Sequence, residues 1–293
     1  MKRLCSALVA TTLLLLAANA ARSVEYTYTT VLLPADGWYS PQFTGINNSG
    51  EVVGTASTHP GSQLAVWPTV GFIYRGGTCT PLMPPGCTSA QAAAVNDRGE
   101  VVGTALRPSG YVGYIYSGGA YRILGLPGCS WSQASGINSV GTVVGSGWKE
   151  GSGYVGFIYH EGSYTTLLPP GWTSAQAVAV NDCGDVVGFG FQGPELMGFI
   201  YHEGKYTTML PPGYISAQPT SINNRGEVAG MGMRGNDYAG FVYSGGKYTT
   251  LMPAGCISAQ VTAISNNGEL LGAQDPGDTW TGFIATPSQG RTR

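Results

Sequence analysis

The chain has 293 residues, a formal net charge of −2 and only 10% charged side chains. This excludes the strongly basic surface that binds nucleic acid or anionic membranes. Glycine (46 residues) and tyrosine (17) are abundant, while the apolar content of 43% is ordinary. Such a composition favours a turn-rich, all-β protein over a disordered chain, and we expect no nucleic-acid partner.

The first twenty residues differ from the rest of the chain. Lys2 and Arg3 precede an apolar run, Leu4 to Ala18, which ends in Ala18-Asn19-Ala20. A basic start, a short apolar middle and an A-x-A end are typical of a secretory signal, here cut after Ala20. The run is shorter than the roughly 20 residues that a membrane span needs. We therefore predict a signal peptide over residues 1–20, secretion to the periplasm or the extracellular space, and no membrane span.

Two landmarks then repeat about every 42 residues. In the first, Gln is followed five residues later by Asn, from Gln42/Asn47 onwards; in the last copy Gln260 is matched by Ser265. The second landmark is glycine followed by an aromatic residue: Gly71-Phe72, Gly113-Tyr114, Gly156-Phe157, Gly198-Phe199, Gly240-Phe241 and Gly282-Phe283. Two landmarks with the same period indicate six copies of one structural unit.

Each copy predicts four short strands, as the fourth copy illustrates. Its period-2 alternation and β-branched residues favour strands, while Asp182-Cys183-Gly184 and Glu203-Gly204 favour tight turns. The predicted strands cover residues 174–181, 185–190, 197–202 and 205–210, with a variable loop at residues 191–196 between the second and third.

Four antiparallel strands in each repeat of this length are typical of a β-propeller blade. We predict an all-β, six-bladed β-propeller over residues 21–286, followed by a short polar tail over residues 287–293. A strand of the fourth type, Tyr26 to Leu33, precedes the first copy, and the last copy ends after its third strand. We therefore expect the N-terminal strand to complete the last blade and close the ring.

The repeat resembles the HAF-repeat family of predicted extracellular bacterial proteins. The resemblance lies in residues 45–54, GINNSGEVVG, and their five counterparts, each followed by Gly-Phe-Ile-Tyr or a variant. The family's His-Ala-Phe triplet is here Val70-Gly71-Phe72 or a similar triplet, without His or Ala in register. The resemblance implies a propeller-like, extracellular repeat protein and no particular activity.

Catalytic and metal-binding motifs are missing from the sequence. His59, His160 and His202 are its only histidines, and no nucleophile elbow, H-E-x-x-H or P-loop pattern occurs. We expect no enzyme activity, cofactor or metal.

Five cysteines follow the signal, which is an odd number, and none of them form a C-x-x-C pair. Three of them occupy the repeat position that holds Trp38, Trp172 and Tyr214 in other copies, which indicates a packing position or a rim position. The five cysteines are Cys79, Cys87, Cys129, Cys183 and Cys256.

Two sets of repeated polar residues have alternative interpretations. Carboxylates follow the turn glycine in five copies, either as a rim that binds a cation or a basic partner or, as we favour, as solvated hairpin charges. They are Glu51, Glu100, Asp185, Glu227 and Glu269, with Thr142 in the remaining copy. The repeated Gln and Asn residues either line a channel mouth or, as we favour, have structural roles. In the structural interpretation the Asn side chains accept backbone hydrogen bonds in the turns, and the Gln side chains satisfy polar groups between blades.

Tryptophan is the most informative candidate for binding. Three of the six tryptophans follow the fourth strand of a copy, and three lie between the second and third strands. In a blade whose strands alternate in direction, these two connections emerge on the same face, opposite the tight glycine turns. The candidates are Trp38, Trp67, Trp131, Trp148, Trp172 and Trp280. Tyr39, Tyr111, Tyr154 and Tyr238 could join them, although some of these rings could instead cap the blade cores.

The sequence therefore predicts a secreted, non-catalytic binding module that recognises glycan or protein through an aromatic-rich loop face. The alternative is a hydrolase or lyase that acts at the central pore. The residues that break the repeat pattern are mostly Gly, Pro, Ser and aromatic residues rather than unique His, Asp, Glu or Arg, which favours binding. The sequence leaves the ligand and the oligomeric state open.

Overall fold

The computed structural model describes residues 38–59, 68–277 and 280–287, and in this part of the chain all regular structure is β. The strands form six antiparallel sheets, each built from consecutive strands. These residues belong to one compact unit, Leu32–Arg293. The prediction of an all-β, six-bladed propeller is confirmed.

The first three blades follow the chain in order. Blade 1 contains β1 (Tyr39–Ile46), β2 (Val52–Ser57), β3 (Thr69–Arg75) and β4 (Thr78–Leu82). Blade 2 contains β5 (Ser89–Val95), β6 (Val101–Arg107), β7 (Gly110–Ser117) and β8 (Ala120–Leu124). Blade 3 contains β9 (Trp131–Ile137), β10 (Val143–Lys149), β11 (Gly153–His160) and β12 (Ser163–Leu167).

The other three blades repeat the arrangement. Blade 4 contains β13 (Ser174–Val180), β14 (Val186–Gln192), β15 (Glu195–His202) and β16 (Lys205–Met209). Blade 5 contains β17 (Gln218–Ile222), β18 (Val228–Arg234), β19 (Asp237–Ser244) and β20 (Lys247–Leu251). Blade 6 contains β21 (Ser258–Ile264), β22 (Leu270–Asp275) and β23 (Thr281–Ala285) within the described residues.

The strands of blade 4 differ from the prediction at one connection. The predicted loop over residues 191–196 is mostly strand, because β14 continues to Gln192 and β15 begins at Glu195. Phe191 pairs with Leu196 across this hairpin. Residues 60–67, which contain Trp67, and residues 1–37 lie outside the described part. The signal peptide and the closing strand Tyr26 to Leu33 therefore stay predictions.

A second glycine of the repeat explains how the aromatic residue packs. A methyl group on the Gly188 Cα would lie 2.6 Å from the Phe199 ring and 2.0 Å from the Gln176 carbonyl oxygen. Only glycine allows strand 1 and the aromatic ring to approach strand 2 so closely. Phe199 is fully buried. Gly54, Gly145, Gly230 and Gly272 face their own Phe rings in the same way.

The blades stack so that each one covers the next. Val144 of blade 3 packs with Ala175, Ala177 and Phe199 of blade 4, and equivalent clusters lie at the other described junctions from blade 1 to blade 6. The first strands of successive blades contact each other and surround the axis. One end of the ring carries the tight turns between strands 1 and 2, which we call the turn end. The opposite end carries the connections between strands 2 and 3, which we call the loop end.

Within the described residues, no helix is long and apolar enough to cross a membrane.

Candidate functional site

The loop end of blade 3 holds three aromatic side chains in one cross-strand row. Trp148, near the end of β10, pairs with Trp131 on β9 and with Tyr154 on β11. Residues directly opposite each other in an antiparallel sheet project from the same face, so the three rings lie side by side.

Tyr154 contacts both indole rings. The Trp131 and Tyr154 ring centroids are 5.3 Å apart with an interplanar angle of 79°. The Trp148 and Tyr154 centroids are 5.1 Å apart at 86°. Edge-to-face contacts of this kind are favourable and hold the rings in fixed orientations. Trp148 is nevertheless 39% exposed, so a supported indole ring faces solvent.

In four other blades, a single exposed ring occupies the position of either Tyr154 or Trp148. The residue two before the repeat glycine is Tyr111 in blade 2, Tyr238 in blade 5 and Trp280 in blade 6. In blade 4 the exposed ring is Phe191, in the register of Trp148. All four of these side chains are more than one third exposed. The described loop end thus presents an exposed aromatic side chain in blades 2 to 6, and a three-ring cluster in blade 3.

Two of the candidate tryptophans belong to blade cores instead. Trp172 is only 7% exposed, and its ring centroid is 5.9 Å from that of Phe199. Trp38 is half-buried, 6.1 Å from the Phe72 centroid. Tyr214 occupies the same register and is also buried. This position therefore caps the core, which is the alternative that the sequence left open.

Phe191 is a loop-end residue that sequence reasoning missed. The sequence predicts a variable loop there, yet Phe191 lies on β14 opposite Ser174 and Leu196. The sequence does contain a signal for Phe191. Phe191 and Trp148 follow the Val-Val-Gly motif of their blades at the same distance, so they occupy equivalent positions of the repeat.

At the turn end, the repeated Asn residues join the blades. The Asn181 Oδ1 accepts a hydrogen bond from the Asp185 backbone N–H at 2.9 Å, which confirms the turn role expected from the sequence. Its Nδ2 donates to the Asn223 carbonyl oxygen in blade 5 at 3.1 Å. Asn47, Asn96, Asn138 and Asn223 make the same bond to the following blade, at distances of 2.9 to 3.0 Å. We call these five bonds the asparagine ladder.

The carboxylates after the turn glycines have local partners. Asn96 donates to Glu100 at 2.7 Å, and Arg98 pairs with the same carboxylate at 2.6 Å. Burial raises the pKa of Glu100, but the hydrogen bonds from Asn96 and Arg98 outweigh it and hold the pKa below its ordinary value. Glu51 pairs with Arg75, and Asp185 pairs with His202. Glu51, Glu100 and Glu227 therefore each have an arginine partner in their own blade.

A polar cavity of about 290 Å³ opens at the turn end around the axis, lined by residues of all six blades. Asp97 and Asp182 contribute carboxylates that accept hydrogen bonds from the amides of Asn48 and Asn224, both at 2.7 Å. Burial raises the pKa of Asp182, but bonds from the Ser139 backbone N–H and the Asn224 amide outweigh it and lower the pKa overall. Among the described residues, no group of three or more His, Cys, Asp or Glu could hold a metal ion.

The histidines serve the turns of their own blades. His160 Nδ1 lies 3.1 Å from the Thr142 hydroxyl, and His202 contacts Asp185. Both are exposed at the hairpin between strands 3 and 4. This placement is that of surface residues that brace the neighbouring turn.

Comparison with known proteins identifies the fold alone. No protein-family model and no curated protein matches the sequence. Among solved structures, the chain is similar to the β-propeller domain of the trilobed protease from Pyrococcus furiosus, which has an open velcro topology. The TM-score is 0.56 at 8% identity, and the match covers 84% of this chain and 82% of that one.

Two enzymes have related folds. The acylaminoacyl peptidase of Pyrococcus horikoshii matches with a TM-score of 0.53 and 8% identity, covering 85% of this chain but only 44% of the peptidase. A streptogramin B lyase matches with a TM-score of 0.50 and 14% identity, covering 88% of this chain and 85% of the lyase. At such low identity the likeness establishes a β-propeller and nothing about activity.

Proposed function

We propose that this protein is an exported, non-catalytic propeller that binds carbohydrate through the aromatic side chains of its loop end. The observation that carries the proposal is the exposed ring at the loop end of blades 2 to 6, with the cluster of Trp131, Trp148 and Tyr154 in blade 3. The secretory signal predicted over residues 1–20 and the resemblance to HAF repeats support an extracellular or periplasmic location.

An exposed aromatic ring suits a sugar for a physical reason. A pyranose ring carries C–H groups on its faces and hydroxyls around its edge. Its apolar face covers an indole or phenol ring and removes that surface from water, while the hydroxyls stay hydrated. Tyr and Trp carry a polar atom as well as an apolar face, and they lose little conformational entropy on binding.

The setting of the rings favours carbohydrate over a protein partner. The connections beside them contain Pro108-Ser109, Gly151-Ser152 and Gly235-Asn236, which are small or polar. A protein hot spot lies within a larger apolar patch that excludes water around it. Because the exposed rings lie one to a blade beside hairpins of small or polar residues, we expect separate contacts with sugar rings rather than one continuous protein interface.

The test is a glycan array probed with the secreted, signal-free chain. We expect wild-type protein to bind a subset of neutral polysaccharides, and a variant with Tyr111, Trp148, Phe191, Tyr238 and Trp280 all changed to Ser to lose that binding. A matched variant with Asp97 and Asp182 changed to Asn at the turn end should bind as wild type does. Equal binding by the loop-end variant, with its fold verified by circular dichroism, would refute the proposal.

A second candidate is a hydrolase or lyase at the axial cavity of the turn end. The observation that favours it is the pair of carboxylates, Asp97 and Asp182, on the lining of that cavity. Loss of turnover of any hydrolysed or eliminated substrate in the Asp97→Asn or Asp182→Asn variant would support this candidate. Retained turnover in both variants would refute it.

A further inference from the structure

We infer that the loop end has one principal subsite, at the junction of blades 3 and 4, where a single neutral pyranose ring stacks on Trp148. This inference rests on the proposed function and makes it more specific. It assigns the ligand class, the residue that carries most of the affinity and a stoichiometry of one principal site in each chain.

The first argument is the break in symmetry. Five described blades expose a ring at the loop end, yet only blade 3 has aromatic residues at all three positions of the row. In blade 4 the positions of Trp131, Trp148 and Tyr154 hold Ser174, Phe191 and Leu196. A repeat protein with equal sites would carry equal residues, and this one does not.

The second argument is the rigidity of the stacking surface. Tyr154 contacts Trp131 and Trp148 at 5.3 Å and 5.1 Å, with both indole planes nearly perpendicular to its ring. An indole held by neighbours loses little further freedom when a ligand covers it, so more of the contact free energy contributes to affinity. Trp280 and Tyr111 lie in register with Tyr154 but are not matched by aromatic residues on the adjoining strands of their blades.

The third argument is the polar surround at the junction of blades 3 and 4. Val144 projects from the same face as Trp148 and packs on Ala175 of blade 4, so this face of blade 3 is directed towards blade 4. Gly153 lies beside blade 4, since a methyl group on its Cα would be in van der Waals contact with the Thr173 carbonyl oxygen, at 3.7 Å. Backbone carbonyls and small hydroxyl side chains at this junction can bind the hydroxyls of a stacked sugar.

The fourth argument concerns charge. Lys149 and Glu150, which follow Trp148 directly, carry opposite charges and are both exposed. Neither sign dominates beside the indole, so a sugar without carboxylate or sulfate groups fits the site. Sugars whose hydroxyls are mostly equatorial present the widest apolar face, and we therefore expect gluco-configured pyranosides to bind best.

The experiment is a titration followed by intrinsic tryptophan fluorescence and isothermal calorimetry. The probes are cello-oligosaccharides and the methyl glycosides of glucose, galactose and mannose, with sorbitol as a control that lacks a ring. We expect one principal site per chain and a shift of tryptophan emission. Trp148→Ala should weaken binding about tenfold or more, and Trp148→Phe should restore most of the affinity.

The matched control is Val140→Ala, which trims an exposed apolar side chain at the turn end and should leave the affinity within about twofold. Trp280→Ala, which removes a loop-end ring from blade 6, should weaken binding less than Trp148→Ala does. If Trp280→Ala weakens binding as much as Trp148→Ala, or if calorimetry gives several equal sites, the single subsite is wrong while carbohydrate binding stands. If wild-type protein binds none of these probes and nothing on the array, both proposals fail. Melting curves of each variant exclude loss of fold as the cause.

Discussion

The junction between blades 6 and 1 differs from the other five. Val53, Val102, Val144 and Val187 are fully buried against the following blade, whereas Leu271, at the same position of blade 6, is 52% exposed. On the facing side, Ile46 of blade 1 is 68% exposed, while its counterpart Val95 in blade 2 is only 9% exposed. We call the junction of blades 6 and 1 the seam.

The asparagine ladder has its gap at the same place. Ser265 replaces Asn in blade 6, and its Oγ contacts the backbone N–H and the carboxylate of Glu269 in its own turn. Five junctions thus combine apolar packing with a cross-blade hydrogen bond, and the seam has neither among the described residues. The comparison teaches that, among the residues that the structure describes, apolar packing and the cross-blade hydrogen bond occur together at a junction.

The largest expected difference comes from a buried charge. Val187→Asp would place an unpaired carboxylate between blades 4 and 5 and should destabilise the fold by several kcal/mol. Leu271→Asp, the matched change at the seam, should cost less than about 1 kcal/mol. Urea unfolding monitored by circular dichroism measures both, and equal losses would mean that the seam is packed like the other junctions.

A second gap in the ladder should have a smaller effect. Serine can keep the turn bonds, as Ser265 does with the N–H groups of Asn267 and Glu269. Asn181 also donates to the Asp185 carboxylate at 2.9 Å, and a serine can replace that bond as Ser265 does with Glu269 at 3.4 Å. The main loss in Asn181→Ser is therefore the bond to the Asn223 carbonyl, and we expect the free energy of unfolding to fall by about 1–3 kcal/mol. An unchanged urea midpoint would show that this hydrogen bond contributes nothing.

Completing the ladder should stabilise the ring. In a Ser265→Asn variant, the new Nδ2 could donate to the Asn47 carbonyl oxygen of blade 1. We expect a gain of about 0.5–1.5 kcal/mol, measured as a higher melting temperature. A loss of stability would indicate that blade 1 is too far away for the bond to form.

The smallest effect concerns acid stability. Because the pKa of Glu100 is lowered in the folded state, its contribution is present above the ordinary carboxyl pKa and is lost as the pH falls through the folded pKa. Glu100→Gln should reduce the loss of stability between about pH 5 and pH 3 by less than about 1 kcal/mol. Glu269→Gln, at the seam, is the control, and identical pH profiles for Glu100→Gln and wild type would contradict the prediction.

The blades were predictable from local sequence signals. The turns around Gly184 and Gly204 were placed correctly because glycine with positive φ marks them directly. The connection after β14 was placed less well, because Phe191 and Leu196 resemble loop residues until their pairing across the hairpin is known.

The site was only partly predictable. The sequence period gives the register of a residue but not its burial, so Trp172 and Trp148 were equal candidates until packing separated a core cap from an exposed ring. The asparagine ladder could not be predicted from the sequence, for a related reason. Each of its bonds joins residues one whole repeat apart, and the turn role of Asn181 alone accounted for the repeated Asn.

The ladder also has a direction, which matters while the polypeptide is being made. Each Asn donates to the blade that follows it in the chain, never to the one before. During synthesis from the N-terminus, the newest blade therefore always carries an amide whose acceptor has not yet left the ribosome. Blade 6 differs, because the blade that would accept a hydrogen bond from position 265 is blade 1, which is synthesised first.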